Sequence, residues 1–413
     1  MNPEKSVSRY AWLIVGLLVP VALLNYLDRQ MIAAMKTSVM ADVTGIHSEK
    51  AWGQMLAQFK WVYAFLSPIG GYVGDRFGRK LTICGSLFAW SAITWATGHV
   101  TTYEGLLWTR TLMGISEAFY IPAALALISD YHTGGTRSRA TGLHQMGIYC
   151  GVILGGFSGY VADSPDHGWR WMFNITGLIG IIYAPILMMI LRDVPRSGEA
   201  SQSKPRVATS IRELFTNSSF ILLVVYFTLP AIAGWVVRDW MPAILQEQFN
   251  LSQGRAGVSA TLYWQAAAIV AAFFGGWLAD RWMKRTERGR IYVSAIGMAL
   301  IIPALFGVGN APGMNSLALA IASLVLFGIG WGFFDGNNMP ILSQIVRPDL
   351  RATGYGIMNF VSISIGGFAD IQFGVLKDSR VPLNVIFSSF AVIALISVVL
   401  VLMIKPKQDK TKP

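Results

Sequence analysis

The sequence predicts an all-α integral membrane protein, with twelve transmembrane helices in two pseudo-symmetric six-helix bundles. Three observations carry that prediction. Of the 413 residues, 54% are hydrophobic and only 13% charged, whereas soluble domains carry about 25% charged residues. The apolar residues gather in runs that nearly all reach the roughly 20 residues a helix needs to span a bilayer. A charged turn pattern also occurs twice, in matching places of the two halves. A large soluble helical protein fits poorly, because its helices would alternate apolar and polar faces.

The net charge of +11 invites a nucleic-acid reading, but its distribution opposes one. About 23 Lys and Arg fall on the side that holds both termini, about 6 on the other and 4 inside the spans (Arg29, Lys60, Arg110 and Arg238). This positive-inside bias places both termini in the cytoplasm and explains the basic balance without a polyanionic partner. The expected location is a bacterial inner membrane. Met1–Tyr10 is short and polar, and the first apolar run lacks a small-residue cleavage site, so it reads as a retained helix and not a signal peptide. Cys84 and Cys150 lie in spans and suggest no disulfide framework.

In the first half the spans run over 11–35, 51–73, 81–100, 104–130, 140–162 and 171–191. In the second they run over 219–243, 257–281, 290–309, 315–345, 352–376 and 382–404. The longest connection, 192–218, is polar and basic. The expected domains are therefore a bundle at 1–191, a cytoplasmic linker at 192–218 and a second bundle at 219–413.

The first span ends on Asn25–Tyr26–Leu27–Asp28–Arg29. A charge at bilayer depth costs about 2.5–3.5 kcal/mol on insertion scales, so Asp28 and Arg29 are expected to face a central cavity. The second span adds Lys60 and Tyr63. Lys60 is either a second fixed positive charge near the site or a side chain that snorkels to the interface. Gly71–Tyr–Val–Gly–Asp75–Arg76–Phe–Gly78–Arg79–Lys80 follows, and Gly276–Trp–Leu–Ala–Asp280–Arg281–Trp–Met–Lys284–Arg285 repeats it after the eighth span. Two six-helix halves in parallel repeat are a known transporter architecture.

The fourth span carries Arg110 and Glu117, two turns apart on nearly one helix face. The fifth carries His144, expected to be structural, and Gly147-x-x-x-Gly151-x-x-x-Gly155–Gly156. In the seventh, Arg238–Asp239 repeats the Arg/Asp adjacency and reads either as part of the site or as an outer-gate salt bridge. Tyr263, Trp264 and Gln265 in the eighth, with Trp235, offer stacking and hydrogen bonding. Asp335, Asn337 and Asn338 in the tenth lie around Gly336 and Pro340, which suggests a broken helix lining a cavity. Asn359, Ser362, Ser364 and Asp370 mark the eleventh. Asn side chains both donate and accept, which suits hydroxyl recognition.

These patterns resemble the major facilitator superfamily across essentially the whole chain. The residues that carry the resemblance are Gly71-x-x-x-Asp75-Arg76-x-Gly78-Arg79-Lys80 and Arg110-x-x-x-Gly114. The resemblance implies alternating access by rocking of the two halves. It makes the turn at 75–80 a conformational latch, with Asp130 as partner of Arg79, and extends that latch to Gly71, Arg76, Arg110, Asp280 and Arg281. Where the antiporter form of the fifth-span motif has Pro, this chain has Val152, which weighs against a drug–proton exchanger. Within the superfamily the chain is most similar to the organic anion:cation symporters, through Asn25-Tyr26-x-Asp28-Arg29, Lys60–Trp–Val–Tyr63, Arg110–Glu117 with Pro122, and Trp240–Met–Pro242. Spinster-type lipid transporters share a similar first-span motif. The anion:cation resemblance implies that Arg29 binds a substrate carboxylate, that Asp28 and Glu117 titrate and that Tyr63 touches substrate. Lys60 and Ile148 depart from the sugar-acid members.

Physical chemistry weighs the same residues independently. Arg binds planar carboxylates bidentately, and Lys does not. A proton-coupled carrier needs a carboxylate that changes charge, and a neighbouring cation holds a carboxylate ionised. Asp28 adjoins Arg29 in the chain, while Glu117 has no adjacent cation. Glu117 is thus the expected proton carrier and Asp28 a second site. The structural alternative is an ion pair of Glu117 with Arg29 or Arg110 that holds the bundle together. The substrate-binding set is expected to be Arg29, Lys60, Tyr63, Arg238, Gln265, Asn338 and Asn359. No metal-ligand spacing, phosphate-cradling Gly-x-x-x-x-Gly-Lys motif or nucleophile–base arrangement is present. The expectation is a monomeric secondary transporter, not an enzyme. It uses no cofactor beyond a proton gradient and imports a small organic anion such as a sugar acid or other monocarboxylate. The alternative is a neutral sugar or lysolipid carrier, or a proton antiporter.

Overall fold

In the computed structural model, residues 3–132, 136–193 and 207–406 are described. They form helices α1 (Pro3–Ala34), α2 (Lys36–Asp42), α3 (Glu49–Phe77), α4 (Arg79–Thr97), α5 (Tyr103–Glu117), α6 (Tyr120–Tyr131), α7 (Arg137–Ala162), α8 (Gly168–Ile190), α9 (Val207–Thr216), α10 (Ser218–Phe249), α11 (Gln253–Met283), α12 (Gly289–Asn310), α13 (Leu317–Ile345), α14 (Arg351–Asp378) and α15 (Leu383–Met403). Counting α5 and α6 as one interrupted span and leaving aside the short α2 and α9, twelve spans match the expected twelve in order. Nine are long and apolar enough on their own to cross a membrane. The other three, α3, α4 and α7, carry the charged turn, Lys60 or the glycine-rich run. Large apolar side chains such as Phe273 and Met189, each 76% exposed, point outward. Such a surface is unusual in a water-soluble monomer and ordinary against lipid.

The chain divides into two compact units. The first holds Met1–Ala200 and Asp239–Thr261, and the second Ser201–Arg238 and Leu262–Pro413. One division, between Ala200 and Ser201, falls inside the expected connection 192–218, while Asp239–Thr261 groups with the first unit as well. The end of α10 and the start of α11 belong with the first unit, and polar contacts explain why. Lys60 pairs with Asp239 at 2.5 Å, Lys36 reaches Glu247 at 3.3 Å, and Asp163 accepts from the backbone N–H of Gly254 at 2.8 Å. In the first unit α1 packs along α7 and α4 along α8; in the second α12 packs along both α13 and α15. The third and sixth spans of each half are thus partners, and the repeat seen in the charged turns extends to packing.

Three local features position the site. On α7, Gly147, Gly151 and Gly155 face the backbone carbonyls of Val19, Leu23 and Leu27 on α1, so missing side chains let two helices approach closely. Between α3 and α4, Gly78 has φ +91°, a conformation that L side chains rarely adopt. Asp193 accepts from the Lys80 N–H there at 2.8 Å and so caps α4. In the fourth span, Pro122 has no N–H and its ring crowds the carbonyl of residue 118. The helix breaks at residues 118–119, directly after Glu117. The Ser86 hydroxyl donates to the freed Ser116 carbonyl, and Gly70 of α3 sits against the break, where a Cβ would meet Ala118 O.

The break expected around Gly336 and Pro340 is not there. α13 runs unbroken from Leu317 to Ile345 with Pro340 inside it, because neighbouring helices support the helix around one missing bond.

Candidate functional site

The site residues of the first unit come from four helices. α1 supplies Asn25, Tyr26, Asp28 and Arg29, and α3 supplies Phe59 and Tyr63. α4 supplies Thr94, and α5 supplies Arg110 and Glu117. The Arg29 Nε donates to Glu117 Oε2 at 2.7 Å, with the Glu117 side chain fully buried and that of Arg29 10% exposed. Three rings surround the guanidinium, with Tyr26, Phe59 and Tyr63 centroids 4.7, 4.8 and 4.6 Å from Cζ. Phe59 and Tyr63, one turn apart on α3, stack on each other. Such contacts hold a guanidinium in place without using its donors. Arg29 Nη2 and Glu117 Oε1 are buried without a hydrogen-bond partner.

Asp28 is 3% exposed and accepts a 2.7 Å hydrogen bond from the Thr94 hydroxyl. The expectation that Arg29 pairs with Asp28, leaving Glu117 without a cation, is therefore corrected in favour of the alternative named beside it, an Arg29–Glu117 ion pair. Successive residues on an α-helix point about 100° apart, so Asp28 faces α4 while Arg29 faces α5. Chain adjacency places the two charges at one depth and says little about their partners. Arg110 is 3% exposed. It reaches Thr97 at 3.5 Å and lies within electrostatic range of both Asp28 and Glu117.

Lys60 neither snorkels nor points free into the site. It is 4% exposed and bound to Asp239. The second fixed cation expected beside Arg29 is thus engaged in a separate ion pair. His144 is 1% exposed and contacts the Tyr120 hydroxyl at 2.9 Å, in keeping with a structural role.

At the charged turn, Arg79 forms an ion pair with Asp130 and donates to the Ala126 carbonyl at 2.7 Å. Arg76 is exposed, with its guanidinium 6.0 Å from the Phe77 ring. The Asp75 side chain and the surroundings of Gly71 lie outside what is described. In the second unit, Asp280 pairs with Arg290 at 2.6 Å and Arg281 lies over Trp277. There Arg238 lies 5.4 Å from the Trp235 ring, Gln265 and Asn338 are 4% and 1% exposed, and Asn359 is half-buried. Both polar atoms of the Asn338 side chain are unpartnered.

Phe59 and Thr94 are not among the residues that the sequence marks, and Asn25 and Tyr26 carry no role of their own there. Phe59 and Thr94 stand in ordinary apolar or hydroxyl-rich helix surface, and only their neighbours mark them. Asn25 carried a signal, an amide one turn before a buried charge pair.

The sequence profile of the Major Facilitator Superfamily matches residues 18–369. Protein spinster of Drosophila melanogaster is 27% identical over 375 residues, covering 87% of this chain and 61% of its own length. The sphingosine-1-phosphate transporter SPNS2 of Xenopus tropicalis is 27% identical over 388 residues, covering 88% of this chain and 74% of its own. The chain thus spans about three fifths to three quarters of these relatives. Among solved structures, a bacterial homolog of the human lysosomal transporter Spinster, in an inward-facing and occupied conformation, superposes with a TM-score of 0.81. It is 20% identical and covers 95% of this chain and 96% of its own. These similarities bring out the Spinster-like side of the resemblance.

Proposed function

From the premise that this chain belongs to the major facilitator superfamily, a family of membrane transporters and not of enzymes, which need no cofactor, we propose that it carries a small organic anion by proton-coupled symport. The observation that carries this reading is the Arg29–Glu117 pair inside its ring of aromatics. Arg29 can satisfy Glu117 or a substrate anion, and the unused Nη2 offers that anion a first contact. When the anion takes Arg29, Glu117 is left charged and uncompensated at full burial. That state is costly, and protonation of Glu117 relieves it. Anion and proton are then bound together and released together, which is symport. Asp28, held by Thr94 near Arg110, is the second titrating site.

Two six-helix bundles, 1–191 and 219–413, joined through 192–218, alternate access around this centre. The Arg79–Asp130 pair at the strained Gly78 turn and the Asp280–Arg290 pair act as latches. The protein works as a monomer in a bacterial inner membrane with both termini cytoplasmic, in line with the charge bias. In the first unit Tyr63 contacts the rest of the substrate; Arg238, Gln265, Asn338 and Asn359 are the second unit's own candidates for substrate contact.

A second reading shares the same anion clamp. The named substrate of the SPNS2 relative is a single-chain lipid phosphate, so the anion is either a compact acid such as a sugar acid or the head of a single-chain lipid. Counterflow in proteoliposomes with sugar acids, other monocarboxylates, single-chain lipid phosphates and the neutral analogues of each separates them. Preference for acids, lost in Arg29→Lys, is the expected result. Preference for neutral analogues with Arg29→Lys tolerated overturns the anion reading. In Glu117→Gln, exchange persists and proton-driven accumulation disappears; unaltered accumulation overturns the proton assignment.

A further inference from the structure

Asn25 has no role in the transport scheme above, and it is as completely enclosed as Glu117 and Thr94 of the same centre. It is 0% exposed, one turn before Asp28 on α1, and neither polar atom of its amide has a hydrogen-bond partner of good geometry. An orphaned buried polar group is costly and uncommon. The amide lies against the Glu117 carboxylate, whose Oε1 is likewise unpartnered and whose Oε2 is held by Arg29.

We propose that Asn25 is a positioning residue for proton coupling, an amide that serves Glu117 in both charge states. The inference rests on the symport reading. An amide carries a donor and an acceptor on one rotatable group. Ionised Glu117 needs donors, and Asn25 Nδ2 supplies one when a substrate anion takes Arg29. Protonated Glu117 needs an acceptor for its O–H, and Asn25 Oδ1 supplies it after a turn of the amide. No covalent bond other than the O–H of the arriving proton forms or breaks. The charged and titratable groups described against Glu117 are Arg29 and Asp28 from α1, Tyr63 from α3 and Arg110 from its own helix. Arg29 and Arg110 carry donors only, and Asp28 accepts only while ionised. The Tyr26 and Tyr63 hydroxyls lie on the rings that flank Arg29. Among the described residues that face Glu117 without flanking Arg29, Asn25 alone both donates and accepts in every charge state.

The test uses the proton itself as probe. The full-length protein in liposomes is titrated through the acid range and followed by infrared difference spectroscopy in the carboxylic-acid carbonyl region. The expected result is a band that Glu117→Gln removes and Asn25→Leu moves to higher frequency, as for an acid without a hydrogen-bond partner. Asn25→Ala should move it the same way, and Asn25→Ser, which keeps a donor and an acceptor, should return it toward the wild-type position. In parallel, Asn25→Leu should lower proton-driven accumulation of the best-transported acid about tenfold. A Glu117 band unmoved in both Asn25→Leu and Asn25→Ala overturns the role of Asn25 alone. Absence of any band sensitive to Glu117→Gln overturns the proton reading on which it rests. A purely structural Asn25 would lower stability without moving the band, and Asn25→Ala reports even where Asn25→Leu does not fold.

Discussion

The Arg29–Glu117 and Lys60–Asp239 pairs both bury a cation and a carboxylate within the first unit, yet their surroundings differ in kind. Arg29 is wrapped by Tyr26, Phe59 and Tyr63 and keeps Nη2 unpartnered, while Glu117 keeps Oε1 unpartnered and has an orphaned amide beside it. Lys60 meets Asp239 at 2.5 Å across 179 residues of chain, and their contact ties the end of α10 into the unit. The first pair has capacity to spare and rests on contacts that survive an exchange of partner. The second is short and joins distant segments. One is suited to trade its carboxylate for a substrate, the other to hold two pieces of chain together.

The largest expected effect falls on the second pair. Lys60→Met removes the paired cation of a buried carboxylate and should cost about 3–5 kcal/mol, whereas the double replacement Lys60→Met/Asp239→Leu should recover most of it. Thermal unfolding in detergent measures both. A double variant as unstable as the single one would remove the contrast between lock and exchange site. Next is Arg29→Lys, which keeps the charge but loses the planar fork and the ring stacking. Apparent affinity for acids in counterflow should drop about a hundredfold, and Lys60→Arg should leave it within about twofold because Lys60 is already paired with Asp239. Gly78→Ala sharpens the comparison from the backbone side. A side chain at φ +91° beside the Asp193 cap should cost about 1–3 kcal/mol of stability without altering anion preference. The smallest effect is expected for Arg170→Ala. Its 2.8 Å pair with Asp42 is partly exposed on both sides and should contribute under about 1 kcal/mol. An exposed pair that matched the buried one would show that burial is not what separates them.

Much of this was legible before the structure. Run length and charge bias predicted the span order, and the duplicated turn predicted the paired halves. The rarity of charge at bilayer depth singled out Arg29, Asp28, Glu117 and Lys60. The partners were legible only in part: Arg79–Asp130 was expected and Arg29–Glu117 stood as the structural alternative. Asp28 and Arg29 are neighbours in the chain and face different helices, and Lys60, which reads as a second anion clamp, is consumed by Asp239. The helix break was assigned to Gly336–Pro340 and occurs after Glu117. Both regions carry a proline, and only at 118–119 do Ser86 and Gly70 accommodate the interruption.

The sequence by itself determined which residues lie in the membrane and which of them are charged. Those quantities follow from composition and a period of 3.6 residues, both properties of one segment at a time. The tertiary structure alone decided which charge meets which, where the fourth span opens and that Asn25 lies against Glu117. Each of these depends on the rotation of one helix against another, set by close-packed contacts such as Gly147, Gly151 and Gly155 against α1 that no single segment contains.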